Sequence, residues 1–397
     1  MARILVTGSR GTLGRPLVKE LTRRGHEVWG CDLQHQAELK YFRADISSFR
    51  QVERVFEQKY DYVYHLAAEF GRLNGEEFYE TLWETNVIGT RHILELQRKR
   101  GFQLIFASSS EIYGDRHAEV LHENIPLQHS IIQHNDYATT KWVNEIQIMN
   151  FEKRYGLPCV RLRFFNAYGP GEYYHSYRSV VCLFVYRALH DLPYQVYEGY
   201  HRVFMYVDDF IPTLANVCEN FVPGEVYNIG GEEFRSVREL SDLILKQIGK
   251  DDRVVTYLPE DKHNVQNKRP DISKAKLAFK HYPTTTLEEG VPKTIEWMKA
   301  GIPAKEVVLK FEEYLRARGC GDNLLYGPCH GLGMMEVERP WMESHSEYLL
   351  QPNMTFQVDT FLYGETFGLR WENGARITET GVEMFSDKAF EVLELEV

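Results

Sequence analysis

The chain has 397 residues, 43% hydrophobic and 26% charged, with a formal net charge of −11 at pH 7, the make-up of an ordinary globular protein with room for two or three domains. No run of about 18 apolar residues occurs, which excludes a membrane-spanning helix, and the acidic balance argues against nucleic acid as a partner, because neutralising phosphates takes a basic face. Six scattered cysteines without a CxxC pair read as reduced thiols of a cytoplasmic protein.

The chain opens on Arg3-Ile4-Leu5-Val6, an apolar strand that leaves no room for a signal peptide. Up to about residue 150, short apolar runs alternate with amphipathic stretches, the rhythm of a parallel sheet covered by helices. Leu13, Leu17, Val18 and Leu21 share one helix face, and Gly25 supplies its stop. Further strands are predicted around Val28, Val63, Ile105 and Leu162. From Gly169 the glycine and proline content rises and short strands mix with helices, as in a smaller substrate domain over the carboxyl edge of the sheet. Around Pro303 the pattern restarts with a helix and then glycine-punctuated strands. Between Pro303 and Val397 there are 17 acidic and 8 basic residues, which marks a separate module.

The loop after the first strand reads Gly8-x-x-Gly11-Thr12-Leu13-Gly14. Its glycines permit a tight turn, close approach of a dinucleotide pyrophosphate to the helix N-terminus, and close packing of helix on strand. Asp32 ends the second strand, where a carboxylate accepts both hydroxyls of an adenosine ribose and repels a 2′-phosphate. NAD is therefore expected over NADP. Arg10 is the contrary signal, since an arginine there could receive that phosphate. Asp45, followed by Ile46, is placed either to accept from the adenine amino group or to hold a turn.

Tyr137 and Lys141 are four residues apart and share a helix face. A free phenol, with a pKa of about 10, is a poor base at neutral pH. A neighbouring ammonium and a cationic nicotinamide favour the phenolate; lowering its pKa by ~3 units takes ~4 kcal/mol of differential interaction. Ser109, with Ser110 beside it, directly follows an apolar strand and is placed to relay a proton between substrate and phenolate. Glu111, two residues after Ser109, is expected on the same side of an extended backbone.

With His65-Leu66-Ala67-Ala68, Asn86 in Thr85-Asn86-Val87-Ile88-Gly89-Thr90, and Phe165-Asn166-Ala167-Tyr168-Gly169-Pro170, the string of motifs lengthens. Arg202 before Tyr206-Val207-Asp208-Asp209, then Tyr227-Asn228-Ile229-Gly230-Gly231 and Arg269-Pro270-Asp271, complete it. Over about residues 1–300 the chain resembles the extended short-chain dehydrogenase/reductase family, in particular its nucleotide-sugar epimerases, dehydratases and decarboxylases. The resemblance implies an α/β fold: a Rossmann-type doubly wound parallel sheet in residues 1–166, rejoined by 203–232, and a substrate domain in 167–302. It further implies NAD held by the glycine loop, Asp32, Asp45, Ile46, Leu66, Ala67, Ala68, Asn86, Tyr137 and Lys141. Catalysis would fall to Ser109, Ser110, Glu111, Tyr137 and Lys141. Asn166, Arg202 and Arg269 would hold a nucleotide-diphosphate sugar, and the protein would be a homodimer. The family's usual Gly-Asp-Gly before the first arginine is here Glu198-Gly199-Tyr200-His201, and Val203 follows it, so the nucleotide stays open.

The family's shared first step oxidises C4 of the sugar to a ketone. Reduction on the other face is epimerisation, loss of a C6 hydroxyl is dehydration, and loss of a C6 carboxylate is decarboxylation. Glu111 stands where dehydratases and decarboxylases of the family carry glutamate, yet Ala67-Ala68-Glu69-Phe70-Gly71 lacks the proline-rich sequence of the decarboxylases. Epimerisation comes first because it needs no acid beyond Tyr137; dehydration or decarboxylation through Glu111 is the alternative. A non-catalytic NAD sensor is disfavoured, since sensors lose the Tyr/Lys pair.

Residues 303–397 resemble the last part of the pita-bread metallopeptidases, the aminopeptidase P, prolidase and creatinase group. His330-Gly331-Leu332-Gly333 matches the segment of that family's metal-binding histidine, and Asp359 and Glu372 stand at its two glutamate ligands. Val337 replaces its second histidine, and the two aspartate ligands that precede the first have no place here. A dinuclear site needs about five protein ligands, so neither peptidase activity nor a tightly held metal is expected. The alternating Met354, Phe356 and Val358, with Phe361 and Phe367 beyond, predict an apolar sheet face that the rest of the chain or a second subunit must cover.

Overall fold

The computed structural model describes residues 1–34, 38–116, 120–259, 261, 267–299, 304–324, 329–332, 338–344, 346, 348–364, 368–378 and 382–385. The chain divides into two compact units, Met1–Met298 and Lys299–Val397. Gly333, Val337 and Phe367, named above, lie outside the described residues.

The first unit is built on strands β1 (Arg3–Thr7), β2 (Glu27–Asp32), β3 (Tyr41–Arg43), β4 (Tyr62–His65), β5 (Gln103–Ser109) and β6 (Cys159–Phe164). With the strand Val226–Ile229 they form one seven-stranded sheet. The order runs Val226–Ile229, β6, β5, β4, β1, β2, β3, and every pairing is parallel. Both faces are covered, which is why the strands read as continuous apolar runs. Ile4 and Val6 pack on one side with Leu17 and Leu21 of helix α1 (Gly14–Arg23), while Leu5 packs on the other with Val52 and Val55. Strand order reverses at β1, whose neighbours are β2 and β4, and a crevice opens at that switch point.

Two elements carry chemistry to the crevice. β5 ends at Ser109 and turns into a short 3₁₀ helix, Ser110–Tyr113. The helix Asp136–Tyr155 starts at Asn135, whose side chain accepts from the Ala138 N–H at 2.8 Å, and ends at Gly156 in the left-handed region at φ 66°. Beyond the sheet, the strand His201–Val203 pairs with Phe234–Ser236 and with Asn267–Lys268, which sets Arg202 opposite Lys268.

The second unit is a helix, Ala304–Ala317, and a five-stranded antiparallel sheet centred on Cys329–Gly331, Thr355–Tyr363 and Gly368–Ile377. Phe356 is 2% exposed, and Met354 and Val358 pack beside it against Ala304 and Val308 of that helix. Met354, Phe356 and Val358, part of the apolar face expected to need the rest of the chain or a second subunit, thus pack within the unit itself, with the helix that opens the module.

Candidate active site

A cleft of about 580 Å³ lies along the switch point. Its wall contains the whole glycine loop from Gly8 to Gly14 except Ser9, and the ends of β2, β4 and β5. Gly8 sits at φ 71°, and a Cβ there would lie 2.7 Å from the Ala67 nitrogen; a Cβ on Gly14 would lie 2.0 Å from the Gly8 carbonyl oxygen. The loop can therefore close only with glycine at both places. Asp32 accepts from the Arg10 N–H at 2.9 Å and the Leu33 N–H at 2.8 Å. The Arg10 guanidinium is turned to Glu38, at 2.5 Å, and lies over the Tyr41 ring. Asp45 lines the same cleft while accepting from both the N–H and hydroxyl of Ser47 at 2.8 Å, the turn it was expected either to hold or to leave for the adenine. Thr12, Leu13, Ile46, Leu66, Ala67 and Ala68 complete the groove. This cradle, too tight for a Cβ at its centre and closed by a carboxylate at its ribose end, fits a dinucleotide without a 2′-phosphate.

Asn86 does not line the cleft. Its amide is fully engaged: the oxygen accepts from the Glu69 N–H at 2.9 Å, and the nitrogen donates to the Glu69 carbonyl at 2.9 Å and to Thr140 at 3.1 Å. It lies in a π-turn, Glu84–Ile88, and braces the loop after β4, a positioning task in place of the cofactor contact expected of it.

At the other end of the cleft Ser109, Ser110, Glu111, Tyr137 and Lys141 come together. Lys141 is 4% exposed; its ammonium donates to the Ala107 carbonyl at 2.9 Å and lies 5.8 Å from the Tyr137 ring centre. Burial lowers its pKa to about 8. Tyr137 departs from expectation: burial and the nearby Glu111 carboxylate push its phenol up, outweighing a hydrogen bond from Ser109. The protein alone thus holds Tyr137 as a neutral phenol; an added positive charge beside it would favour the phenolate.

Glu111 also differs from the extended placement predicted for it. The backbone turns at Ser110, and the Ser109 hydroxyl accepts from the Glu111 N–H at 3.2 Å. Its carboxylate pairs with the Lys268 ammonium, whose side chain is 1% exposed. Burial opposes the charge of Glu111, but Lys268 and then Arg202 outweigh it and leave the pKa lowered. Glu111 is therefore an ionised carboxylate beside two cations, and Lys268 is a site residue that the motif reading passed over in favour of Arg269, its neighbour.

Of the three expected substrate contacts, Asn166 lines the cleft, at φ 38° with its amide donating to the Val203 carbonyl at 2.9 Å. Arg202 and Arg269 do not line it. Arg202 is 5% exposed, drawn inward toward Glu111 and Asp261; Arg269 is exposed, 5.9 Å from the Phe234 ring. Beneath the site lies Glu145, four residues past Lys141 on the same helix face. It accepts from Ser108 at 2.6 Å and from Arg163 at 3.0 and 2.8 Å, all buried. This network fixes the helix on β5 and β6, and the repeated spacing Tyr137, Lys141, Glu145 was its sequence signal.

Comparison with known proteins agrees with this geometry. The family model described as NAD dependent epimerase/dehydratase matches residues 4–230, and that of metallopeptidase family M24 matches residues 283–380. The UDP-N-acetyl-alpha-D-glucosaminuronate decarboxylase of Bacillus cytotoxicus is 30% identical in an alignment that covers 75% of this chain and 98% of that protein. The UDP-glucuronate 4-epimerase of Thermodesulfobacterium geofontis is 28% identical over 76% of this chain and 98% of its own. Among solved structures, the UDP-glucose 4-epimerase of Thermus thermophilus in complex with NAD superposes with a TM-score of 0.68, at 28% identity, over 76% of this chain and all of that one. The UDP-glucuronic acid 4-epimerase of Bacillus cereus, with UDP-glucuronic acid and NAD, gives 0.66 at 25% identity, over 75% and 99%.

Proposed function

Within the NAD dependent epimerase/dehydratase family, to which this chain belongs, we propose that it epimerises C4 of a nucleotide-diphosphate sugar through a transient 4-keto sugar. The observation that carries this reading is the state of Glu111 beside Tyr137. Tyr137, with Ser109 hydrogen-bonded to it, accepts the C4 hydroxyl proton and later returns it, while Lys141 holds positive charge below it. NAD, when bound in the cleft, supplies the hydride acceptor at C4 and the cationic ring that favours the phenolate. Expelling a C6 hydroxyl would need a proton donor besides Tyr137. Glu111, ionised beside Lys268, holds no proton to donate until it has taken one from C5, and its neighbour is Ser110, which supplies no second carboxyl.

Decarboxylation is the second reading. It needs no such donor once the C4 ketone has formed, and relatives named as uronate decarboxylases, from Bacillus cytotoxicus and Danio rerio, are 30% identical. In either case residues 1–166 with 203–232 would bind the cofactor and 167–302 the sugar nucleotide, with Asn166 at the wall and Arg202 and Arg269 meeting the diphosphate if they turn toward it. A homodimer belongs to the same proposal, supported by Ile88 and Ile146, 41% and 38% exposed on neighbouring helical segments. So does a cytoplasmic site, supported by six cysteines none of which is paired. Incubation with a panel of UDP- and dTDP-linked sugars and uronates, followed by mass spectrometry and NMR, tests the reading. Unchanged mass with inverted C4 is the expected product; loss of carbon dioxide selects the second reading, and loss of water overturns both.

A further inference from the structure

The strand that carries Ser109 meets the helix Asp136–Tyr155 at three consecutive residues. The Ala107 carbonyl accepts from Lys141 at 2.9 Å, the Ser108 hydroxyl donates to Glu145 at 2.6 Å, and the Ser109 hydroxyl is hydrogen-bonded to Tyr137. Tyr137, Lys141 and Glu145 lie on successive turns of one helix face. The chain then runs through the 3₁₀ turn Ser110–Tyr113 and returns to the same carboxylate. Tyr113 is fully buried; its hydroxyl accepts from Arg163 Nη1 at 3.0 Å and donates to Asn228 Oδ1 at 2.7 Å. Arg163 Nε and Nη2 in turn donate to the two oxygens of Glu145 at 3.0 and 2.8 Å. The turn bearing Ser109 and Glu111 is thus fastened to Glu145 at both ends, directly at Ser108 and through Arg163 at Tyr113.

Arg163 and Glu145 are 1% and 0% exposed. Taking two charges out of water costs about as much as their attraction returns, so such a pair is a weak source of stability and its value here is geometric. We propose that Tyr113, acting through Arg163 and Glu145, is a positioning residue that sets the Ser109 hydroxyl against the Tyr137 phenol. Asn228, whose amide donates to the Leu121 and Asp271 carbonyls at 2.8 and 3.2 Å, anchors Tyr113 from the other side. Tyr113 does not line the cleft, so it acts only through these bonds. The consequence falls on the proton relay and rests on the reading of Tyr137 as the base. Burial holds the Tyr137 phenol up and the Ser109 bond lowers it; a loosened turn leaves a phenol that ionises less readily.

The test is ¹³C NMR of the full chain, loaded with NAD and labelled at tyrosine Cζ, whose shift reports both hydrogen bonding and ionisation of its own hydroxyl. The Tyr137 signal is the one missing in Tyr137→Phe. In Tyr113→Phe that signal should move at neutral pH, and its titration midpoint should rise by about half a pH unit, part of what one hydrogen bond supplies. Ser108→Ala, which frees the turn at its other end, should do the same. Glu111 and Lys141, the charged groups beside Tyr137, stay in place in both. Tyr64→Phe is the control for a merely structural loss. Tyr64 is equally buried in the same sheet, and its hydroxyl donates to the Leu214 carbonyl at 2.8 Å and accepts from the Cys218 N–H at 3.2 Å. This control should lower the denaturation midpoint as Tyr113→Phe does, yet leave the Tyr137 signal where it was. An unmoved signal in folded Tyr113→Phe overturns the inference, as does an equal movement in Tyr64→Phe. If Tyr113→Phe does not fold, Ser108→Ala decides by the same criterion. A Tyr137 that stays neutral at every pH would count against its role as base, and the positioning is then read from the neutral signal alone, so the two failures are told apart.

Discussion

Lys268 and Glu111, 157 residues apart in the chain, form an ion pair at the edge of the catalytic cleft, with the ammonium enclosed and the carboxylate 26% exposed. The pair joins the end of β5 to a short strand of the substrate-binding region, so it couples the position of Ser109 to that strand's. Removing one member leaves the other charged and desolvated. Lys268→Met should therefore destabilise the first unit by about 3 kcal/mol, the lower end of what breaking a buried pair costs, read as a lowered denaturation midpoint. The pH dependence has a definite sign. The folded-state pKa of Glu111 is lowered, and burial brings that of Lys268 down to about 8, so the pair is complete between the unfolded carboxylate value of about 4.3 and about 8, and fades on the acid side as pH falls through the folded value of Glu111. Lys268→Met should lack that part of the acid limb.

Glu111 also works against Tyr137. Its negative charge is among the causes that hold the phenol neutral, second to burial. Glu111→Gln should therefore lower the Tyr137 pKa and move the rising limb of the kcat/KM–pH profile to lower pH. Tyr137→Phe should cut turnover about 10²–10⁴-fold, the range for loss of a general base, while NAD still binds. An unshifted profile in Glu111→Gln would separate the carboxylate electrostatically from the base, and near-normal turnover in Tyr137→Phe would remove Tyr137 from the chemistry.

What the sequence disclosed and what it hid divide along a physical line. Gly8 and Gly14 were legible because contacts of 2.7 and 2.0 Å to a would-be Cβ leave no other residue possible. Tyr137 and Lys141 were legible because helix periodicity alone puts them on one face. Lys268 was not, because its partner is 157 residues away and no local pattern encodes the meeting. The 3₁₀ turn at Ser110–Tyr113 was missed because a strand continuing to Glu111 and a strand ending at Ser109 read alike until the Ser109 hydroxyl is seen taking the Glu111 N–H. Asn86 was found but its protein partners were not: its motif says a polar side chain is needed there, and only packing shows that the Glu69 backbone takes it. Arg370 lies two residues before Glu372, yet its meeting with Asp359 depends on strand register.

On the proposed reading, cofactor choice would rest on Asp32. Its carboxylate is fixed by the Arg10 and Leu33 N–H groups at the end of β2, while the Arg10 side chain is turned to Glu38 and Tyr41. A 2′-phosphate would meet that carboxylate at short range, and the nearest guanidinium is already paired. Asp32→Ala should weaken NAD binding through the lost ribose bonds and at the same time narrow the preference over NADP, by about tenfold or ~1.4 kcal/mol, the scale of one charge-assisted contact. Calorimetric titration of both cofactors checks this. If NADP affinity fails to gain on NAD, Asp32 is not what excludes the phosphate.

The last prediction concerns how little the cofactor site owes to the second unit. All seven strands of the parallel sheet end by Ile229, and every cleft-lining residue lies before residue 180. The Bacillus cytotoxicus relative is 98% covered by only 75% of this chain, so a protein of its kind is complete without a counterpart of the rest. The Lys299–Val397 unit meanwhile has its own helix packed with Met354, Phe356 and Val358, and an ion pair of its own between Arg370 and Asp359. Truncation after Gly301, beyond the helix Leu287–Lys299, should therefore leave a protein that folds and binds NAD with the affinity of the full chain. It should carry Tyr137, Ser109 and Lys141 in working order on whichever nucleotide sugar the full chain turns over. Size-exclusion chromatography with light scattering on the same sample shows whether the second unit sets the assembly state. Loss of NAD binding on truncation would mean that residues 302–397 support the cleft, and the two units would then have to be treated as one functional body.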